Sequence, residues 1–412
     1  MARVTLGRRR DRSDGGNTVF SPRAAVRFRV ATVGTLAVSF AFAGVFGSPT
    51  DSALTFVIRL ATHQMETVGN QLEAVVATGV PGAVAVALGP GGRVEAAAGF
   101  ADLRTGEALT VDHRFRIGSV TKIFVAALVL QLVAEGLLDL DGDAAPFAEG
   151  ITIRQLLNHT SGLPDFIDDV VEFFEPYRRN PAHRWELGPR DELRLVMEKP
   201  RLFSPGEGWS YHGSNYLVLR LIVEEATGVT LRDALRQRVL EPLGLKRTDL
   251  VEGPLRGDCA RGYLPPDNPA LPGGPGPVDV TEIDVPFHGA GGGVVSTTGE
   301  IAQTLRAQLR GELLPGRLRK EMLRAVESDW DETDRYGLGI GEITALMGRQ
   351  RSPCGAAWGH IGFSVGYTAF ALSSEEGERQ VVICANGSPS TVATEEAFWD
   401  AAGRLAWHLY CA

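Results

Sequence analysis

Ile117-Gly118-Ser119-Val120-Thr121-Lys122-Ile123-Phe124-Val125-Ala126-Ala127-Leu128-Val129-Leu130 is the stretch from which the reading starts. It opens a predicted helix over Ile117–Leu138 that is apolar nearly all round, and such a helix belongs in a core. Lys122 is the one charge in the quoted run. The i to i+3 spacing puts Ser119 and Lys122 on the same face of that helix. A serine hydroxyl is a weak nucleophile unless a base adjoins it. A desolvated lysine has a lowered pKa and can accept that proton. Ser119 at the helix N-terminus also meets the positive dipole end, beside any oxyanion it creates. Ser-x-x-Lys alone is common on ordinary helices, so the rest of the chain has to decide.

With 412 residues, 44% apolar and 22% charged, the chain has material for a sizeable core. Its charge is unevenly spread. Residues 1–29 hold eight Arg against Asp11 and Asp14, a local +6, which leaves −15 on the remainder. A body that acidic excludes a nucleic-acid or anionic-membrane surface. The basic start precedes an uncharged, apolar run, Val30 to Thr50, with Ala41-Phe42-Ala43 as a cleavage site. Residues 1–53 are therefore expected to be a signal peptide, or an uncleaved membrane anchor, and the body is expected to be exported.

Ala83–Leu88 and Arg93–Gly99 read as a hairpin around Gly89-Pro90-Gly91-Gly92, after a helix over 54–78. Residues 150–250 are mostly helical in pattern, broken by a loop at Ser204–Gly213. Leu264–Val278 reads as a surface loop rich in Pro and Gly. Helices are expected at Ile301–Arg310 and Gly316–Ala325. Tyr336–Ile343, Tyr367–Leu372 and Arg379–Ala385 read as strands, then Val392–His408 as a helix. The expected fold is α/β (α+β): an antiparallel sheet from both chain ends, flanked by helices, with a mostly helical inserted lobe. The hydrolase domain spans 54–412, its sheet lobe 54–122 and 289–412, its helical lobe 123–288. Their cleft is the expected site. None of the four Cys has metal spacing, the eight His are scattered, and no cofactor is expected. Cys384 lies in a buried-strand pattern and reads as a small core residue.

Four further segments complete the picture: Phe115-Arg116-Ile117-Gly118 before the serine, Asn158-His159-Thr160-Ser161-Gly162, Trp209-Ser210-Tyr211-His212-Gly213-Ser214-Asn215-Tyr216, and Trp358-Gly359-His360-Ile361-Gly362. From about Leu72 onward the chain resembles the serine β-lactamase-like hydrolases: class C β-lactamases, soluble D-alanyl-D-alanine carboxypeptidases and related esterases. The resemblance implies a β-lactamase/transpeptidase-like fold. It makes Ser119 the acylated nucleophile and gives Lys122 and Tyr211 the proton transfers, which of the two is the base staying open. It places His360, Gly362 and Phe363 on a sheet edge lining the cleft, with the backbone N–H groups of Ser119 and Phe363 as oxyanion hole. His159 is read as structural, and Ala290-Gly291-Gly292-Gly293 as a place of close backbone approach. It also implies a Cys354–Cys411 disulfide. A small-molecule or peptidoglycan-peptide acyl substrate is expected, with β-lactams as ligands.

The chain departs from that pattern twice. Gly213 stands where the family carries an Asn that holds the substrate's amide carbonyl, and Asn215 is a stand-in or a helix-start residue. Ile361 and Phe363 replace hydroxyl residues that bind a terminal carboxylate, which favours an uncharged ester or amide substrate. A slow-turnover β-lactam or peptidoglycan sensor is the non-enzymatic alternative. A second serine motif, Gly362-Phe363-Ser364-Val365-Gly366, matches the nucleophile elbow, which needs a helix after the serine. The sequence there alternates as a strand instead.

Overall fold

A computed structural model describes residues 27–31 and 66–412, apart from 166–174, 181–182, 269–270, 272–275, 285–288, 330–333 and 389–391. Seven strands carry the main sheet: β1 (Arg27–Ala31), β2 (Gly82–Gly89), β3 (Gly92–Asp102), β4 (Gly341–Ile343), β5 (Ala357–Ser364), β6 (Tyr367–Ser373) and β7 (Gln380–Ala385). Their order is β1-β3-β2-β7-β6-β5-β4, extended by the two-residue strands Arg335–Tyr336 and Val326–Glu327. All of these pairings are antiparallel. The sheet thus joins both ends of the sequence, as expected.

Strand alternation sorts the side chains into two layers. On β7, Val382 and Cys384 join one core with helix α1 (Thr121–Ala134) and the helical insert. Val381, Ile383 and Ala385 face the other way, onto the helix 66–76 and the long C-terminal helix, residues Val392–Cys411. The insert contributes α2 (Pro189–Met197) and α3 (Ser214–Thr227). Next comes α4 (Thr298–Leu309), and Val392–Cys411 is labelled α5. α1 is buried on every side from Thr121 to Leu130, Lys122 included.

Three expectations change. The helix over 54–78 is seen at 66–76, with 54–65 outside the described residues. Tyr336–Ile343 is two short strands and not one, because the chain leaves the sheet at Gly337-Leu338-Gly339. Gly339 has φ +75° and donates to the carbonyl of Leu157; a Cβ there would lie 2.8 Å from Tyr216 Oη. The motif around His360, not read as a strand, is a full strand, β5: residues 357–359 pair with β4, while among the described residues 360–364 pair only with β6, which leaves His360, Gly362 and Phe363 on a free edge of the sheet. Ser364 ends β5 and is followed by a turn into β6, so no nucleophile elbow forms.

Of the expected leader, Arg27–Ala31 forms a strand on the outer edge of β3, and the rest of 1–53 lies outside the described residues. Among the described residues no helix is long and apolar enough to cross a membrane. Cys354 and Cys411 meet at the end of α5, with Cα atoms 5.8 Å apart and sulfurs 1.92 Å apart. Cys384 is fully buried, and burial pushes its thiol pKa up.

Candidate active site

Ser119 sits in a single 3-10 turn, Gly118–Val120, that runs directly into α1. This turn is pressed against β5 by two glycines. Gly118 has φ +51°, and a Cβ there would lie 2.6 Å from the backbone N of Phe363. A Cβ on Gly362 would collide with the carbonyl of Ile117 and lie 3.1 Å from the backbone N of Ser119. The serine turn and the backbone of Phe363, which carry the two expected oxyanion donors, are therefore packed directly against each other.

Lys122 is only 2% exposed. Its Nζ lies 3.2 Å from Ser119 Oγ and donates to the carbonyl of Gly291 at 2.8 Å. A neutral amine in this position can keep that donation and turn its lone pair toward Oγ. The backbone of the glycine run does reach the lysine, through the Gly291 carbonyl, although a Cβ on Gly291 would make only an ordinary contact with Nζ at 3.5 Å. Thr121 Oγ1 accepts from the amide of Val294 and ties the start of α1 to the same segment.

Tyr211 enters from the loop before α3. Lys122 Nζ lies 4.7 Å from the centre of its ring and 5.1 Å from that of Tyr216. The Tyr211 ring also packs on His159, with centroids 4.4 Å apart. Ser119 and Lys122, from one stretch of chain, and Tyr211, from a second, are thus brought together.

The other expected site residues divide. His360 is fully buried and does not line the surface of the cleft. Its Nδ1–H donates to the carbonyl of Ile361, so Nε2 must accept from Tyr336 Oη, 2.8 Å away. Burial first, and the nearby Lys122 second, hold its pKa down at about 3, so it is neutral. Ile361 faces the opposite side of the sheet and packs in the core beneath α5. The Phe363 ring makes an edge contact with Trp399 of α5 at 5.5 Å, leaving the side chain 37% exposed. Packing under α5 explains both apolar residues first, and what survives of the carboxylate argument is that neither offers a hydroxyl.

Of the two readings of Asn215, the structure bears out the helix-start residue and removes the stand-in. It lies at the start of α3, fully buried, where its Oδ1 accepts from Ser161 and its Nδ2 donates to His159 Nδ1 at 3.0 Å. It holds the loop together and cannot replace the missing side chain at Gly213. Gly213 itself is in the site: its Cα would lie 3.9 Å from a Cβ on Gly291. His159 is structural, as read, with φ +63° and a ring surrounded by Tyr211, Tyr216, Tyr336 and Trp209. Burial, then Lys122, push its pKa well below the ordinary value. Sequence reasoning missed Tyr336 and Asp165, because neither stands at a spacing that marks a partner in another element.

Two neutral buried histidines make a pH prediction. A histidine whose folded pKa is lowered binds its proton in the unfolded chain first, so its stabilisation is complete above about 6.5 and is lost as pH falls from there toward 3. Glu192 works against this, since burial pushes its pKa up to about 7. The stability advantage of the wild type over His360→Gln should therefore shrink below pH 6.5, by up to about 1.4 kcal/mol per unit. Urea titrations at pH 7.5, 6 and 5 read it directly; a constant difference would mean that His360 is charged or solvated.

Set beside known proteins, this constellation is a familiar one. The sequence profile described as Beta-lactamase matches residues 57–404, and the chain belongs to that family. It is 29% identical over 347 residues to penicillin-binding protein 4 of Amycolatopsis lactamdurans, covering 79% of this chain and 86% of that one. It is 35% identical over 190 residues to a D-aminopeptidase of Brucella anthropi, 41% of this chain and 34% of that protein. The chain thus spans about a third of the length of such curated relatives. In structure it is similar to the D-amino acid amidase of Ochrobactrum anthropi SV3, solved with D-phenylalanine: TM-score 0.71, 25% identity, covering 83% of this chain and 98% of that one.

Proposed function

We propose that this protein is a serine hydrolase that cleaves small amide, peptide or ester substrates through an acyl-enzyme on Ser119. The observation that carries the reading is the buried Lys122 amine 3.2 Å from the Ser119 hydroxyl. Ser119 Oγ bonds to the substrate carbonyl carbon as its proton passes to the Lys122–Tyr211 pair. The oxyanion is met by the backbone N–H groups of Ser119 and Phe363. The bond to the leaving group then breaks, Tyr211 returning the proton to it, and water releases the acid by the reverse sequence. His360 is too buried to touch substrate and acts as a positioning residue, held by Tyr336.

The names of the relatives favour acyl groups of D-amino acids, and the penicillin-binding ones make β-lactams and peptidoglycan peptides natural competitors. The test is incubation with a fluorescent penicillin, a chromogenic ester and a D-amino acid anilide, followed by mass spectrometry of the labelled peptide. Label on Ser119 with product release supports the enzyme. A stable adduct without release selects the sensor, and label elsewhere removes the mechanism.

Export is part of the same proposal, with residues 1–53 as leader or anchor; a cleaved leader would take the Arg27–Ala31 edge strand with it and leave β3 as the edge of the sheet. In an oxidising compartment Cys354 and Cys411 would form a disulfide across a separation of 57 residues. Closing a loop of that length is worth about 4 kcal/mol on the chain-entropy account. Peptide mapping of the exported protein without reductant should recover the linked pair, and reduction should lower its unfolding midpoint. Two free thiols there would end the idea.

A further inference from the structure

The place left by the missing asparagine has acquired the opposite polarity. Among the described residues, the Cβ of a side chain at Gly213 would border on the carboxylate of Asp165, with Oδ1 at 3.5 Å, and on nothing else within 4 Å. Asp165 is fixed there: Oδ1 accepts from the backbone N of Ser214 at 3.0 Å and from its Oγ at 2.9 Å, and Oδ2 faces His212 Nδ1 at 3.3 Å. His212 is fixed in turn by Ser210, whose Oγ lies 2.9 Å from Nε2. The Asp165 side chain remains 36% exposed. Burial raises its pKa, but the bonds from His212 and Ser214 outweigh that and leave it below the ordinary carboxylate value, hence ionised at neutral pH.

We propose that Asp165, beside Gly213, selects substrates that carry a protonated amine next to the scissile acyl group. An asparagine at position 213 would offer an amide N–H to a substrate carbonyl; the carboxylate accepts only, so it rewards an ammonium and penalises an acylamino carbonyl or a carboxylate. Lys122 lies close to the same position, since Gly291 touches both it and Gly213. As the neutral amine that the mechanism uses, Lys122 adds no charge against an ammonium; it is buried and donates to the Gly291 carbonyl, whereas the Asp165 carboxylate is partly exposed. The inference rests on the acyl-enzyme reading above and names the substrate class for it: amides and esters of free amino acids.

The experiment compares D-alanine p-nitroanilide with its N-acetyl derivative. The wild type should favour the free amine by about ten- to a hundredfold in kcat/KM, the range of one hydrogen bond to a charged group. The preference should fade as pH rises past the substrate's amine pKa. Asp165→Asn keeps an oxygen for Ser214 but loses the charge, and should bring the ratio toward one, mainly through KM. Gly213→Asn, whose Cβ meets only that oxygen among the described residues, should tilt the ratio toward the N-acetyl compound. Equal losses on both substrates in Asp165→Asn would assign the residue a structural role and overturn the proposal. If a fluorophosphonate labels Ser119 and the wild type does not discriminate, this inference falls while the nucleophile stands. If Ser119 takes no label, both fall.

Discussion

Ser119→Ala is expected to abolish covalent labelling by penicillins and fluorophosphonates and to lower kcat by roughly four to six orders of magnitude, as removal of a nucleophile does elsewhere. The fold should not notice, because the lost hydroxyl has Lys122 Nζ as its neighbour and that amine keeps the Gly291 carbonyl. Lys122→Ala is a different experiment. It removes the base candidate, worth about 10²–10⁴ in rate. It also empties a buried site and strands the Gly291 carbonyl, which adds about 1–3 kcal/mol of destabilisation. Stopped-flow acylation with unfolding curves separates the two effects. Undiminished labelling of Ser119→Ala, with the label on another residue, would remove the mechanism altogether.

Gly118→Ala is expected to damage both stability and catalysis, although it adds a single methyl group. At φ +51° an alanine is strained by about 1–2 kcal/mol. The new Cβ would stand 2.6 Å from the Phe363 backbone N, an overlap that β5 must yield to at a further 1–3 kcal/mol. The unfolding midpoint should drop by roughly 3–7 °C, at about 1.4 °C per kcal/mol for a domain of about 350 residues. Yielding means parting the Ser119 and Phe363 amides, so the acylation rate should fall about 10²–10³-fold, the effect of losing one oxyanion donor. Calorimetry and the labelling rate are the two readouts. A variant matching wild type in both would show that the serine turn does not press on β5.

Much of the fold was legible because its signals are local. A charge-poor run behind a Ser-x-x-Lys reads as a buried helix from its own residues, and α1 is one. The hairpin around Gly89–Gly92 and the strands at 367–373 and 380–385 were set by alternation and turn residues in the same way. The strand at Ala357–Ser364 was harder, since its glycines, required by the turn that abuts it, dilute the strand pattern. The direction in which Ile361 points follows from the registry of that strand with its neighbours, and Ile361 turned out to face α5.

What the amino-acid order determined is the chemistry available: a serine with a lysine one helical turn on and, once the family resemblance is added, a tyrosine in a Pro-Gly loop and a glycine in place of an asparagine. Those are properties of near neighbours, with rules that act over three or four residues. Only the folded chain decided which distant groups complete the site. Tyr336 orients His360 across 24 residues, Gly291 accepts from Lys122 across 169, and Asp165 borders Gly213 from a different loop. Such contacts depend on how sheet, turn and insert pack, and packing is a property of the whole molecule that no short window contains.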